Sequence, residues 1–387
     1  MIRFFVYLIL MISTMSAYSN VLIDDIDFKD KHFKRCIYDT SGKNGWLYSD
    51  DFVDIECNQY DIALTVDLSH FKKLKSLNLR DNNIQHIDAS HWPQLKVLML
   101  GFNKIDAIDV TNNPNLIDLA LEKNRLKSID VTNNTRLQRL ELGRNKLSEI
   151  NVSNNSMLEV LSVGSNFIKA IDVSNNKKLE VISLENNNLS SIDVSKNPAL
   201  DSISVSENQL KTIDLSNNSK LDHIFLGDNE LTEIDLTHMS KLEFLSLSNN
   251  NIKSIDLSRN LYLKWLGLGE NRLVTLDLSN NARLDRLYIE NNNLTSLNIL
   301  KNPYVERIHL KGNSIKRLDL SNQRDIRHLD ILTNIGNRLS CEELRDQKWA
   351  DGIDFFAAVR GRIEASDVEV SPENRISIIS QECPKGS

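Results

Sequence analysis

From residue 74 onward the chain repeats one pattern of apolar and polar positions every 21 residues. Each unit follows LxxLxLxxNxLxxIDLSxNxx, with Leu, Ile and Val exchanging freely at the apolar positions. Position 1 is apolar in thirteen successive units, from Leu74 to Ile326, and position 9 is Asn in all thirteen, from Asn82 to Asn334. So constant a register indicates a stack of small units, each too short to bury its apolar face alone.

Each unit, or coil, divides into two halves. The segment LxLxxN alternates with period two, which predicts a short strand with every second side chain inward. Its Asn stands where the strand turns, and its amide can pair with backbone groups that the turn leaves unpaired. The half written IDLSxN also alternates, and 21 residues leave little room for a helix. It predicts a short strand or a 3₁₀ turn.

The unit resembles the leucine-rich repeat, and the chain looks like a secreted bacterial leucine-rich repeat protein of the short 21-residue class, broadly similar to the internalins. The resemblance covers residues 74–334. It implies an α/β leucine-rich repeat solenoid of about 13 coils of 21 residues, with a parallel β-sheet on the concave face. Positions 2, 3, 5, 7 and 8 would line that face.

The segments on either side of the repeats, residues 20–73 and 335–387, are predicted to cap the open ends of the sheet. In the first, Phe28–Ile37 suggests a helix, and Asp39–Trp46 resembles a degenerate EF-hand loop like that of internalin caps. In the second, Ser340–Glu343 forms a capping box that opens a helix, and Ile376–Ile379 suggests a strand.

Residues 1–19 have the form of a secretory signal peptide. A positive start at Arg3 precedes an apolar run from Phe4 to Ile12, and small residues at Ala17 and Ser19 predict cleavage before Asn20. The alternative is a membrane anchor, for which the run is short of the roughly 20 residues needed. The expected location is therefore secreted or periplasmic.

The four cysteines, Cys36, Cys57, Cys341 and Cys383, all lie outside the repeats. An even number in an exported chain suggests disulfides, and pairing within each end is the simplest of three connectivities. Free buried thiols are the alternative. No two of the cysteines stand at close ligand spacing, so no metal site and no cofactor is predicted.

Position 15 is Asp in ten of the first twelve coils. These carboxylates would form a column of like charge, about 5 Å apart. Each can accept hydrogen bonds from N–H groups of its turn, which offsets the repulsion. Calcium between coils is the alternative, although the Gly-rich turns of calcium-binding repeats are missing.

An aromatic cluster interrupts the Ser-rich columns of the predicted concave face from the eighth coil onward. Its predicted partner-binding residues occupy positions 3 and 5 of coils 8 to 13: His223, Phe225, Phe244, Trp265, Arg286, Tyr288, Arg307, His309 and His328. Gly267 would let the Trp265 ring lie flat. Clustered aromatic and Arg side chains are typical of interface hot spots. Stacking of the rings for stability is the alternative.

Acidic residues follow position 2 beside this cluster, at Glu159, Glu180, Asp201, Asp222 and Glu243. They either steer a basic partner or keep the array soluble. The formal charge of −7 argues against a nucleic-acid partner.

The sequence shows no activated nucleophile and no phosphate loop, and an open face excludes water poorly. We therefore predict a non-enzymatic recognition protein that binds a protein, peptide or glycan partner. The resemblance to internalins suggests attachment to a host surface. A structural envelope or matrix scaffold is the alternative.

Overall fold

A computed structural model describes residues 20–66, 68–315, 318, 322 and 328–330 of the 387-residue chain. Four predictions lie outside the described residues: the signal peptide 1–19, the C-terminal cap 335–387 with Cys341 and Cys383, the Asp at position 15 of coil 12 (Asp319), and the Asn at position 9 of coil 13 (Asn334). The N-terminal cap, the first eleven coils, the first half of the twelfth and the strand of the thirteenth are open to description.

The described part is a stack of coils whose strands form one parallel sheet of fourteen members. Thirteen strands occupy positions 3–5 of the repeat: β3 Ser76–Asn78, β5 Val97–Met99, β6 Asp118–Ala120, β7 Arg139–Glu141, β8 Val160–Ser162, β9 Val181–Ser183, β10 Ser202–Ser204, β11 His223–Phe225, β12 Phe244–Ser246, β13 Trp265–Gly267, β14 Arg286–Tyr288, β15 Arg307–His309 and β16 His328–Asp330. Each pairs with the next without a shift, so that Ser202 lies opposite His223 and His223 opposite Phe244. The leucine-rich repeat solenoid is thus confirmed.

The core runs along the inside of the coils as one continuous apolar column. In coil 5 the side chains at positions 1, 4, 6 and 11, Leu158, Leu161, Val163 and Ile168, are fully buried. Position 14 is less buried than its apolar pattern suggests, since Ile129 and similar residues lie at the margin of the core.

The Asn at position 9 joins neighbouring coils, as predicted. Its side-chain amide donates to the position-6 carbonyls of its own coil and of the preceding coil, and its oxygen accepts an N–H from the preceding coil. For Asn166 these bonds run to Val163 O at 2.9 Å, to Leu142 O at 3.1 Å and from Leu147 N at 2.9 Å. Backbone groups at the strand end are thereby paired in each coil whose position-9 Asn the structure describes, from Asn82 to Asn313.

The second halves of the coils follow an extended, turn-rich path. Only the first coils pair there, through β2 Ala63–Val66 and β4 Asn83–Ile87. From residue 88 to residue 315 no strand and no 3₁₀ helix forms outside positions 3–5, so the expected short strand or 3₁₀ turn is wrong for those coils. A fully buried Asn at position 19 takes the place of ladder pairing: Asn134 donates to Val110 O and Asn113 O, both at 2.9 Å.

The Asp column makes the turn bonds expected of it. Asp214 Oδ1 accepts the N–H of Ser216 at 2.9 Å, and the other described members accept from the residue two places on in the same way. These bonds lower the pKa of the Asp214 carboxyl and of its counterparts. Local turn chemistry therefore accounts for the column.

The N-terminal cap begins with a 3₁₀ turn, Ile23–Asp25, and contains helix α1, Lys31–Asn44, and a second 3₁₀ turn, Ser49–Asp51. Asp30 caps α1 by accepting the N–H groups of His32 and Phe33, each at 2.8 Å, which places its start later than predicted. The EF-hand-like loop is wrong, because Asp39 to Asn44 are helical and Gly45 ends the helix in a left-handed conformation.

The cap also supplies the first strand of the sheet, β1 Asp54–Glu56, which pairs with β3 one coil before the predicted start. Its offset is 22 residues, since Asp54 lies opposite Ser76, and the 21-residue pattern therefore misses it. The predicted Cys36–Cys57 disulfide joins α1 to this first coil, with Cα atoms 5.7 Å apart. The helix thus covers the edge that β1 would otherwise expose.

No helix in the described ranges has both the length and the apolar character needed to cross a membrane.

Candidate functional site: an aromatic face on coils 8 to 13

Two columns of side chains, from positions 3 and 5, form the outward face of the sheet between β11 and β16. The parallel register places Phe244 opposite Trp265, Trp265 opposite Arg286, and Arg307 opposite His328. The position-5 column places Phe225 opposite Ser246 and Tyr288 opposite His309. The backbone therefore brings all nine predicted residues onto one face, which is called the aromatic face below.

The ring contacts on this face fall into two groups. In the first, the His223 imidazole stacks on the Phe244 ring with centroids 4.4 Å apart and planes 12° from parallel. The Phe225 ring lies 6.2 Å from the same imidazole. His223 Nδ1 also lies 2.5 Å from Asp222 Oδ1, which ties the acidic position-2 row to the aromatic face. The rings of His223, Phe225 and Phe244 are half-buried. Phe225 lies between the small side chains of Ser204 and Ser246 on the adjacent strands, which leave its ring accessible.

The second group consists of Trp265, Tyr288 and His309. The Tyr288 ring lies 5.4 Å from Trp265 and 4.6 Å from His309. Trp265 lies across Gly267, as predicted: a Cβ at that glycine would come within 2.6 Å of Trp265 Cη2. The indole can therefore lie flat because Gly267, two residues further along the same strand, has no side chain.

Cations border the second group. Arg286 and Arg307 are exposed at position 3 of adjacent coils. Asp285 lies beneath them, 3.9 Å from Arg286 Nε. Burial raises the pKa of the Asp285 carboxyl, while the neighbouring Arg286 opposes that rise. The face therefore changes from acidic and aromatic at coil 8 to basic and aromatic at coil 12.

The acidic row at position 2 is partly neutralised. Glu243 Oε2 lies 2.6 Å from Lys264 Nζ, and Asp222 contacts His223. Exposed or half-buried pairs of this kind contribute little to stability. The row is half-buried or exposed along its length, which fits both the steering role and the solubility role proposed from the sequence.

The sequence pattern did not predict the backbone at position 8. Eleven successive non-glycine residues there, from Asp81 to Asn291, have φ between 52° and 58°. This left-handed conformation costs most L-residues about 1–2 kcal/mol. Ten of them are polar, and Phe102 is the exception. Its ring lies between Arg80, 4.9 Å away, and Lys123, 4.7 Å away. Phe102, as the one apolar residue in a polar column, was the sequence signal that could have drawn attention to position 8.

A second group missed from the sequence stands at position 21, on the edge before the strand. Tyr262 and Tyr304 are 44% and 50% exposed, with Arg283 between them in the column. The Arg283 guanidinium lies 4.3 Å from the Tyr262 ring centre. These residues extend the aromatic character of coils 9 to 11 around the edge of the solenoid.

Among the described residues, no three His, Cys, Asp or Glu side chains converge as a metal site would require. What the aromatic face offers is a flat array of rings bordered by charges, accessible from solvent. Such an array can stack on rings of a partner, bury its apolar groups and pair with its charges.

The fold and this open face define the class of protein as a leucine-rich repeat solenoid. No protein-family model matches the chain, and no curated protein matches it. Solved structures do. The functional domain of InlJ from Listeria monocytogenes superposes with a TM-score of 0.71 at 26% identity, over 82% of this chain and 76% of that one. The internalin InlF of the same species gives 0.71 at 24% identity, over 78% and 94%.

A third match is the complex of LRIM1 with APL1C, with a TM-score of 0.59 at 26% identity, over 72% of this chain and 55% of that chain. The 21-residue repeat and the parallel-sheet solenoid fit an internalin-like leucine-rich repeat protein. These neighbours are consistent with a scaffold for protein interaction.

Proposed function

We propose that this chain is an exported, non-catalytic recognition protein that binds a protein, peptide or glycan partner through the aromatic face. The observation that carries the proposal is the concentration of rings on one part of an otherwise small, polar surface. Position 5 is Ser in coils 5 to 7 and becomes Phe225 in coil 8. A clustered apolar surface of this kind usually marks a binding site.

The two ring groups would anchor the partner, and Arg286 and Arg307 would make polar contacts at its edge. Aromatic and Arg side chains are enriched among the residues that dominate measured hot spots. Arg286 and Arg307 are exposed and stand in adjacent coils about 5 Å apart, so one carboxylate could meet both guanidinium groups.

Export is supported by the disulfide and by the signal-like residues 1–19. The matched structures support an interaction role, since one of them is a complex of LRIM1 with APL1C. The likeness to internalins favours attachment at a host surface as the setting of that interaction.

The alternative function, an envelope or matrix scaffold, has its own supporting observation: the rings contact one another across strands. His223 on Phe244 and Tyr288 on His309 would stabilise the sheet without any ligand. The two functions differ in what happens when the rings are removed.

The test is a pull-down from host-cell and envelope extracts with the mature chain and with the variant Phe225→Ser plus Trp265→Ser. The matched control is Val97→Ser plus Met99→Ser, at positions 3 and 5 of coil 2, where the side chains are also half-buried. Thermal unfolding is measured for all three proteins.

Loss of one captured partner by the aromatic variant, with retention by the control, supports recognition through the aromatic face. Equal capture by all three proteins, together with a much lower melting temperature of the aromatic variant alone, overturns that role and favours the scaffold.

A further inference from the structure

A second surface, on the turn edge of coils 2 to 4, carries five exposed cations. They stand at positions 8 and 10, which the turn after the strand presents to solvent, and are called the basic rim: Lys104, Lys123, Arg125, Arg144 and Lys146. No carboxylate occupies position 8 or 10 in coils 2 to 5. The basic rim is thus a positively charged patch on a chain whose formal net charge is −7.

The rim cations are not neutralised within the described ranges, where none of the five lies within 4.0 Å of a carboxylate oxygen. Two carboxylates of neighbouring turns are engaged with other residues: Glu122 binds Arg80 at 2.5 Å, and Asp81 accepts a bond from Gln59 at 3.0 Å. The positive charge is therefore available to an external anion.

The backbone that carries the rim is fixed on both sides. At position 8, Lys123 N donates to Gly143 O at 2.7 Å and Arg144 N to Gly164 O at 2.8 Å, each in the following coil. At position 10, Arg125 N donates to Ile105 O and Lys146 N to Leu126 O, each in the preceding coil at 2.8 Å. The side chains consequently start from a rigid array that repeats at about 4.8 Å along the solenoid axis.

Aromatic rings stand at both ends of the rim. Phe102 precedes it and is held between Arg80 and Lys123 despite its left-handed backbone. Phe167, at position 10 of coil 5, follows it and is 56% exposed. Strained or exposed rings beside a charged surface point to contact with a ligand.

The geometry points to the basic rim as a binding site for a linear anionic polysaccharide, with the cations pairing to its sulfate or carboxylate groups and Phe102 and Phe167 stacking on sugar rings at either end. A repeat of about 4.8 Å is close to the length of one sugar unit, so successive coils can meet successive sugars. Cations in a row attract such a polymer and release its counterions on binding. This site is separate from the aromatic face and does not depend on the function proposed there.

The test measures the affinity of the mature chain for an immobilised heparin dodecasaccharide at 0.15 M salt. The rim variant is Arg125→Ser, Arg144→Ser and Lys146→Asn, residues that other coils carry at the same positions. The control removes three exposed lysines away from the rim, Lys177→Ser, Lys220→Ser and Lys253→Ser, so that both variants lose the same net charge.

We expect the rim variant to lose about tenfold or more in affinity, and the control to stay within about twofold of the parent. A third variant, Phe167→Asn, should lower the affinity for heparin and leave the affinity for polyphosphate, which has no sugar rings, unchanged.

Absence of heparin binding by the parent, or equal losses in the rim and control variants, overturns the proposal. Binding to polyphosphate or anionic lipid vesicles without binding to heparin overturns the assignment to a polysaccharide. Since none of these residues belongs to the aromatic face, failure here leaves the recognition function intact.

Discussion

The imidazole of His223 lies flat on the ring of Phe244, with centroids 4.4 Å apart across two adjacent strands. The contact links the first aromatic residue of position 3 to the second, and Asp222 contacts Nδ1 at the edge of the imidazole. The same pair can serve stability or recognition, and the two roles are separable by measurement.

A double-mutant cycle with His223→Ser and Phe244→Ser measures how much the contact between the two rings contributes to the stability of the fold. We expect a coupling of about 0.5–1 kcal/mol in the free energy of urea unfolding, the usual value for a ring pair beyond its buried area. A coupling several times larger would make the stack a structural staple and weaken the recognition function.

Gly267 is predicted to control the pose of Trp265. In Gly267→Ala the new Cβ would overlap the indole, whose end lies within 2.6 Å, so the ring must tilt away from the sheet. The free energy of unfolding should change by under about 1 kcal/mol, because the ring is on the surface. Partner affinity should fall, and the fluorescence of Trp265 should shift. Unchanged fluorescence and unchanged binding would show that the flat pose is unimportant.

Removal of one position-9 amide should be costly. Asn166→Ala leaves Leu147 N, Leu142 O and Val163 O without their side-chain partner in a buried site. We expect a loss of about 3 kcal/mol in urea unfolding. The control Asn217→Ala changes an exposed amide and should cost less than about 0.5 kcal/mol. A similar small loss for both variants would contradict the ladder.

The Cys36–Cys57 bridge should stabilise the N-terminal end. It closes a loop with a sequence separation of 21, for which the chain-entropy model gives about 3 kcal/mol. The variant Cys36→Ser plus Cys57→Ser should therefore raise hydrogen exchange in α1 and β1 first, and in the middle coils last. A substitution is preferable to a reductant, which would also reduce the bridge predicted between Cys341 and Cys383. Uniform loss of protection along the chain would contradict this order.

Acid should weaken the solenoid through the Asp column. The turn bonds lower the pKa of Asp193 and Asp214 in the folded state, so their stabilising effect is present above the ordinary Asp pKa of about 3.9 and is lost as the pH falls below it. Asn already fills this position at Asn151, where it accepts the same N–H. The variant Asp193→Asn plus Asp214→Asn should lose less stability than the parent between pH 5 and pH 3 in urea titrations. Identical pH profiles would argue against the turn bonds as the cause.

The sequence predicted the solenoid well because one constraint is repeated thirteen times. The same inward-facing positions are apolar in each coil, so comparison of the thirteen coils identifies the strand positions and the Asn ladder. The N-terminal cap has no such repetition. There, Asp39 and Gly45 looked like ligands of a loop, whereas helix propensity continued to Asn44 and Gly45 served as its cap. The strand around Ile55 escaped notice because its offset is one residue longer.

Within the site, alternation placed Phe225 and Trp265 on the outward face, since period two alone decides that. It could not reveal the two separate ring groups, which depend on side-chain rotamers, nor the left-handed turn at position 8, which is a backbone conformation on which the alternation of apolar and polar residues carries no information. The basic rim was likewise invisible while only positions 3 and 5 were compared.

Between the basic rim and the aromatic face lie the coils of the middle, where Ser162, Ser183 and Ser204 mark a surface with few distinguishing side chains. Every coil contacts its neighbours through the same register. The number of middle coils therefore sets the distance between the two surfaces, in steps of one repeat. Removing one would bring the two surfaces closer by about 4.8 Å and leave each of them unaltered. The span between ligands is thus set by the number of repeats, a quantity that unequal recombination can change in a single step.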